Sequence, residues 1–261
     1  MTSAHPARRR RLPAGLVLVV ALVAVGGLWA ALAPRSHADE STSSSFAVKQ
    51  GRALFLQGCS SCHGLNAQGS NQAPSLIGVG SAAVDFQVGT GRMPLGQPGA
   101  QAERKPPIYN QTQIDQLAAY IASLAPGPAV PNISQADLDQ ASLSEGGDLF
   151  RANCASCHQA VGQGGALTNG KHAPNLSKAT PTQVVEAMRT GPESMPVFGN
   201  GQLNDSQAIA IAKYVKFVTD PKDPGGSSIG HYGPIPEGLV AWIVGIGGLL
   251  AVILWIGSRK V

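Results

Sequence analysis

Two stretches of this sequence share one pattern and decide the fold: QGRALFLQGCSSCHG at Gln50–Gly64 and EGGDLFRANCASCHQ at Glu145–Gln159. In each, a phenylalanine stands four residues before a Cys-x-x-Cys-His motif. Similarity of this kind at a fixed place in two halves of a chain is the mark of an internal repeat. The sequence therefore predicts two similar domains in tandem.

The repeat continues downstream of both motifs. Its later parts are Ala-Pro-x-Leu at 73–76 and 173–176, Met-Pro at 93–94 and 195–196, and amphipathic segments at 112–124 and 205–218. Apolar residues at helical spacing predict that each copy ends in a helix, with Thr112 and Asn204 or Asp205 as N-caps. The first copy has an extra stretch, Gln97–Pro107, between its methionine and its last helix.

Cys-x-x-Cys-His is the attachment signature of c-type haem. Two thiols three residues apart on a helical turn can meet the two vinyl groups of the porphyrin, and the next residue, histidine, is then held under the iron. The sequence predicts two covalent haem c groups, with these attachment cysteines and axial histidines: Cys59, Cys62 and His63; Cys154, Cys157 and His158. Zinc binding or a disulfide is the alternative for such cysteines, but two motifs in register within a repeat favour haem.

The second axial ligands are predicted to be Met93 and Met195, which share one repeat position and are each followed by proline. Histidine–methionine ligation raises the reduction potential of the iron, and filled axial sites favour electron transfer over chemistry on a bound molecule. The alternative is that both methionines belong to the core. Met188 has no counterpart in the first copy and is predicted to pack in the core.

Pro74 and Pro174 are predicted to support the histidines, because a proline carbonyl can accept the imidazole N–H and fix its tautomer. Leu76 and Leu176 would then pack on the haem. The alternative is a pair of ordinary loop prolines. His172 corresponds to Gln72 and is predicted to be a surface or haem-edge residue.

Two apolar segments predict membrane insertion. The first, 12–33, follows four arginines at 8–11 and precedes Ser36-His37-Ala38; it is either a signal peptide cleaved after Ala38 or a retained anchor. The second, 238–257, carries no charge and is followed by Arg259 and Lys260, which predicts a membrane helix with a cytoplasmic C-terminus. The haem domains would lie on the extracytoplasmic side of the cell membrane.

Composition agrees with small domains built around a cofactor. Aromatic residues make up only 5% of the chain while glycine and proline are frequent, which favours loop-rich domains wrapped around a haem. The net charge of +4 comes from the arginine run at 8–11. No basic stripe with interleaved aromatic residues follows, so nucleic-acid binding is not expected.

These residues resemble two fused class I cytochrome c domains, so a mainly α fold is expected. The predicted layout is a signal or anchor (1–40), a first cytochrome c domain (46–125), a Pro-rich linker (126–139), a second cytochrome c domain (140–220), a tether (221–236) and a transmembrane helix (237–257). As a whole this layout resembles the dihaem cytochrome c subunit of the actinobacterial cytochrome bc1 (bcc) complex.

That resemblance implies a subunit of a quinol–cytochrome c reductase with a cytochrome b subunit and a Rieske iron–sulfur subunit as partners. The subunit would relay electrons from the Rieske cluster towards an aa3-type cytochrome c oxidase, and the chain itself would be an electron carrier rather than the quinol-oxidising site. Because the membrane helix follows the second copy, that copy is expected to accept electrons first. The alternatives are a membrane-tethered dihaem shuttle or dehydrogenase cytochrome subunit, and a dihaem peroxidase, against which the two methionines argue.

Overall fold

A computed structural model describes residues 14–32, 38–97, 99–221 and 234–259. The chain divides into one unit of residues 1–43 and another of residues 44–261. The described part is mainly helical, as predicted. The elements are α1 (Ala14–Leu32), α2 (Ala38–Gly58), α3 (Ser60–His63), α4 (Gly80–Gly89), α5 (Gln111–Leu124), α6 (Gln135–Gln140), α7 (Leu143–Asn153), α8 (Ala155–His158), β1 (Gly165–Ala166), a 3-10 turn (Thr168–Gly170), β2 (His172–Ala173), α9 (Pro181–Thr190), α10 (Asp205–Thr219) and α11 (Pro234–Ser258).

In the first repeat, α2 crosses α5 with direct backbone contact. A Cβ on Gly51 would overlap the carbonyl oxygen of Gln116, so only glycine permits this approach. One turn further along α2, the Phe55 ring packs on Tyr120 with centroids 5.3 Å apart. The apolar core around this crossing consists of Phe55, Ala67, Val84, Val88, Ile114, Leu117, Ala118, Tyr120 and Ile121.

The second repeat builds the same crossing between α7 and α10. A Cβ on Gly146 would overlap the carbonyl oxygen of Ala210, and the Phe150 ring lies 5.4 Å from Tyr214 between centroids. The core contains Phe150, Val184, Val185, Met188, Phe198, Leu203, Ala208, Ile211, Ala212 and Val215. Met188 is 1% exposed, which confirms its predicted place in the core.

The closing helices begin at capping boxes. Asn204 caps α10 as predicted, but Asn110 rather than Thr112 caps α5. The Asn110 side chain accepts the Gln113 N–H at 3.0 Å while the Gln113 side chain accepts the Asn110 N–H at 3.0 Å. This reciprocal pair satisfies two free N–H groups of the first turn, which Thr112 inside the helix cannot do.

Two of the connecting segments contain helical structure. Residues 41–45, which separate the first apolar segment from the first repeat, are helical within α2. The predicted linker 126–139 contains most of α6, and its Pro128 carbonyl accepts the Ala82 N–H at 3.1 Å. The predicted tether 221–236 and the sequence around the proposed cleavage position lie largely outside the described residues.

The predicted apolar helix at the C-terminal end is present, and it is a candidate membrane span by its length and composition. Among the described residues, Ile235–Ser258 is the helix long and apolar enough to cross a membrane, with a mean hydropathy of 2.6. A shorter apolar stretch, Leu18–Gly27, lies in α1. The arginine run at 8–11 falls outside the described residues.

Replacing Gly51 by alanine tests the helix crossing. Alanine favours a helix interior by about 1 kcal/mol over glycine, but overpacking against a backbone atom that cannot move aside costs about 1–3 kcal/mol. We expect Gly51→Ala to lower the free energy of unfolding, measured by urea titration of the haem-loaded protein. The control is Gly89→Ala, whose new methyl group meets only an ordinary contact 3.9 Å away; an equal effect in both variants would contradict the close crossing.

Candidate haem sites

Each Cys-x-x-Cys-His motif forms one helical turn that continues directly from the crossing helix. The Cys59 carbonyl accepts the Cys62 and His63 N–H groups at 3.2 and 3.0 Å, and the Cys154 carbonyl accepts those of Cys157 and His158 at 3.1 and 2.9 Å. All four cysteines are free thiols. The two thiols and the histidine of each motif therefore share a single turn.

The first thiol of each pair is held in its neutral form. Burial, and after it the charge of Cys62, raises the pKa of Cys59 to about 11. Burial and the charge of Cys157 raise the pKa of Cys154 to about 11 in the same way. No three His, Cys, Asp or Glu side chains within the described ranges lie close enough to hold a metal ion.

The structure brings both histidines onto the proline carbonyls named from the sequence. Nδ1 of His63 lies 2.8 Å from the Pro74 oxygen, and Nδ1 of His158 lies 3.0 Å from the Pro174 oxygen. A carbonyl oxygen only accepts, so Nδ1 carries the hydrogen and Nε2 keeps its lone pair. Burial lowers the pKa of His158, against the opposing effect of its hydrogen bond to Pro174, which favours the neutral imidazole that binds metals.

Two glycines that sequence reasoning missed let the proline loops approach the histidines. Gly69 and Gly164 each stand six residues after the histidine of their motif, with φ of +85° and +84°. Their N–H groups donate to the carbonyls of His63 and His158 at 2.8 and 2.9 Å, and a Cβ on either would collide with the backbone around the proline. Their equal spacing from the two motifs was the signal available in the sequence.

The remaining site residues gather at the two cores. Cys59, Leu76 and Met93 pack on the first core. Their counterparts Cys154, Leu176 and Met195 pack on the second. Each half thus places its first thiol and its thioether against one apolar core, with the second thiol and the imidazole on the same helical turn as the first thiol. This donor set fits a covalently attached haem, with histidine and methionine as the candidate iron ligands.

The two methionine loops are anchored by different cations, which the repeat did not reveal. Arg189 Nη1 donates to the carbonyls of Phe198 and Leu203 at 2.9 and 2.7 Å, which ties the second loop to α9. In the first loop, Arg92 Nη1 donates to Thr90 Oγ1 at 2.7 Å, and its guanidinium lies 4.9 Å from the Phe86 ring centroid. Burial lowers the pKa of Arg92.

His172 is exposed, in agreement with the prediction of a surface residue. Its Nε2 lies 3.6 Å from Glu103 Oε2. The histidines at positions 5, 37 and 231 lie outside the described residues.

Comparison with known proteins identifies a cytochrome c domain in each half. Residues 48–125 match the family model described as cytochrome c. Residues 141–215 match the model described as cytochrome C oxidase, cbb3-type, subunit III.

Two of the following relatives resemble the chain over nearly its whole length, and the third resembles about two thirds of it. It is 47% identical to the cytochrome bc1 complex cytochrome c subunit of Mycobacterium tuberculosis, over 97% of this chain and 92% of the relative. It is 40% identical to the protein of the same name from Corynebacterium efficiens, over 97% and 90% of the two chains. The Cbb3-type cytochrome c oxidase subunit CcoP of Azospirillum brasilense is 29% identical over 65% and 61%.

Substituting Gly164 tests the close approach of the proline loop. Alanine at a left-handed position costs about 1–2 kcal/mol, and displacing the backbone around Pro174 costs about 1–3 kcal/mol more, so we expect Gly164→Ala to lose about 2–5 kcal/mol in total. Gly170→Ala is the matched control, since its φ of +72° is similar but no atom lies within 4 Å of the new methyl group. The free energy of unfolding measures both, and equal losses would show that the collision is unimportant.

Proposed function

We propose a two-haem electron relay for this chain, which belongs to the family of cytochrome bc1 complex cytochrome c subunits and is therefore a bc1-type electron-transfer subunit. The duplicated site carries the proposal. Both halves contain the same Cys-x-x-Cys-His turn and the same histidine–proline contact, at 2.8 and 3.0 Å. In each half a methionine packs on that half's own core.

In this proposal Cys59 and Cys62 hold one haem c, and Cys154 and Cys157 hold the other. When bound, each haem supplies reversible one-electron transfer. The carbonyls of Pro74 and Pro174 orient the two histidines, and Leu76 and Leu176 would pack against the haems from the core side. His63 and Met93 would be the iron ligands of one haem, and His158 and Met195 those of the other, so neither iron would keep a site for a peroxide or other substrate, which argues against a peroxidase.

Electrons would enter through the second half and leave through the first. The second half immediately precedes the candidate membrane helix, so we place it next to the Rieske iron–sulfur subunit and the cytochrome b subunit. The first half has five basic and three acidic residues between 49 and 125, whereas residues 134–223 have seven basic and nine acidic. A basic donor surface would speed docking on an acidic surface of an aa3-type oxidase.

The proposed topology follows the charge next to the membrane helix. Arg259 and Lys260 directly follow the apolar helix, which places the C-terminus in the cytoplasm and both haem domains outside it. The chain would be the electron carrier of the quinol–cytochrome c reductase, and quinol oxidation would take place in partner subunits. Family membership favours this role over a tethered shuttle or a dehydrogenase subunit.

Purification from native membranes in mild detergent tests the assignment. We expect a cytochrome b and a Rieske protein to co-purify. We also expect added quinol to reduce the c-type haems, as followed by their absorbance spectrum. The tethered shuttle would be favoured instead if the dihaem protein purified alone and quinol did not reduce it even after other membrane fractions were added.

Haem counting tests the duplicated site. The wild-type chain should carry two haems by pyridine haemochrome assay against protein mass, and the double variant Cys154→Ser/Cys157→Ser should carry one. Ser156→Ala, between these cysteines on the same turn, is the control and should keep two. A wild-type count of one would overturn the two-haem relay.

Removing each methionine tests the axial ligands. Met195→Ala should lower the potential of one haem by on the order of 0.1 V, within the roughly 0.8 V range that axial ligation controls, and let carbon monoxide bind its reduced iron. Met93→Ala should affect the other haem only. Spectroelectrochemical titration measures both; unchanged spectra in either variant would contradict that ligand.

A further inference from the structure

The two halves depart from their common pattern in two places, and these places meet. Residues 97–107 have no counterpart in the second half. In the second half, sixteen positions rather than eleven separate the histidine from its proline, and the additional residues build the β1–β2 hairpin. The Gln101 side-chain amide makes two hydrogen bonds to the backbone of the hairpin. Its Nε2 donates to the His172 carbonyl at 2.8 Å, and its Oε1 accepts the His172 N–H at 2.9 Å.

Three further contacts extend this junction towards the methionine loops. The Ala102 N–H donates to Glu193 Oε1 at 2.7 Å, and Ala102 itself is buried. Arg104 Nη1 donates to Gln183 Oε1 on α9 at 3.1 Å, and Glu103 lies 3.6 Å from His172. Glu193 stands two residues before Met195, and the 97–107 insertion follows Met93 closely. Both candidate ligand loops therefore border the junction.

A pair of carboxyl groups lies where α4 packs on α9. Glu186 is 0% exposed, and neither of its oxygens receives a hydrogen bond from an N–H or hydroxyl group in the described chain. Its polar neighbour is Asp85 on α4. If both carboxyl groups were ionised, two hydrogen-bond acceptors would face each other without a donor. A proton on Glu186 removes this repulsion, because the neutral carboxyl group can donate a hydrogen bond to Asp85.

The surrounding charges agree with a shared proton. Burial, and after it Asp85, raises the pKa of Glu186 from its ordinary value of 4.5 to about 9. Asp85 Oδ1 in turn accepts Gln111 Nε2 at 3.0 Å, and the same Nε2 lies 2.9 Å from Asp115 Oδ1.

The other charged groups on the elements around α9 have partners of their own. They are Arg189 with Asp205, Lys213 with the carbonyls of Asp139 and Ala141, Lys216 with Asp220, Glu103 with His172, Arg104 with Gln183, and Lys105 with the Pro94 carbonyl. Asp85 is the neighbouring charge that raises the pKa of Glu186.

We propose that the 97–107 insertion, the 165–173 hairpin and the Asp85–Glu186 pair form one joint that fixes the two haem domains relative to each other. Gln101 and Glu186 are then positioning residues for electron transfer between the domains, since transfer slows steeply when two centres move apart. This functional role rests on the proposed two-haem relay, whereas the joint itself does not.

The joint has a definite pH dependence. A neutral Glu186 favours the closed joint, and its contribution is fully present below pH 4.5, the ordinary pKa of the group. The contribution declines above that value and is lost as the pH rises through about 9. Above pH 9 two negative charges face each other between α4 and α9, so the junction opens more often.

Amide hydrogen exchange of the full haem-loaded chain in detergent tests the pair. After correction for intrinsic rates, wild-type protection in segments 80–107 and 165–193 should fall about tenfold between pH 7 and pH 10, as expected when a junction loses a buried hydrogen bond. Glu186→Gln keeps a neutral donor towards Asp85 and should retain protection at both pH values. Glu145→Gln makes the same change at an exposed site and should behave like wild type. Exchange at the α2–α5 and α7–α10 crossings serves as the internal reference in every sample.

The insertion is tested by Gln101→Ala, with Gln72→Ala at an exposed position as control. Gln101→Ala should raise exchange in 99–107 and 165–173 about tenfold through the loss of two hydrogen bonds, and slow electron equilibration between the haems after pulse reduction. Unchanged exchange in Gln101→Ala, or a wild-type profile that does not change with pH, would overturn the joint while leaving the relay intact. Altered exchange with unchanged electron equilibration would overturn only its role in electron transfer.

Discussion

The direct contact of helix backbones at Gly51 and at Gly146 is the constraint on which the rest of each domain depends. In both halves a phenylalanine follows one turn later and packs on a tyrosine of the crossing helix. The next turn begins at the first cysteine, whose N–H bonds the phenylalanine carbonyl. The crossing therefore sets the position and direction of the Cys-x-x-Cys-His turn as well as the core beneath it.

A second property of the candidate sites is that burial favours the neutral form of the first cysteine in each half and of His158. Burial raises the pKa of Cys59 and Cys154 to about 11 and lowers that of His158. Hydrogen bonds to Pro74 and Pro174 place the imidazole hydrogen on Nδ1 in both histidines. The thiols, the imidazole and the thioether of each half are the donors that a c-type haem takes.

The features that the two halves share come from the repeat, whereas the contacts between the halves come from segments in which the halves differ. The crossings, the glycine at the sixth position after each histidine, and the histidine–proline contacts occur twice. The 97–107 insertion and the 165–173 hairpin occur once each, and they bond to each other through Gln101 and His172. Residues outside the repeat thus build the junction between two otherwise similar domains.

The sequence by itself determined the repeat, both haem motifs, the proline and methionine loops, and the apolar C-terminal helix, because each rests on local spacing or composition. It placed the cap of α5 two residues late, since Thr112 and Asn110 are both good caps and only the reciprocal bonds to Gln113 distinguish them. Only the tertiary structure decided that Glu186 faces Asp85 and that Gln101 reaches His172. These partners lie far apart along the chain, and their meeting depends on how α4 and α9 pack, which no local pattern encodes.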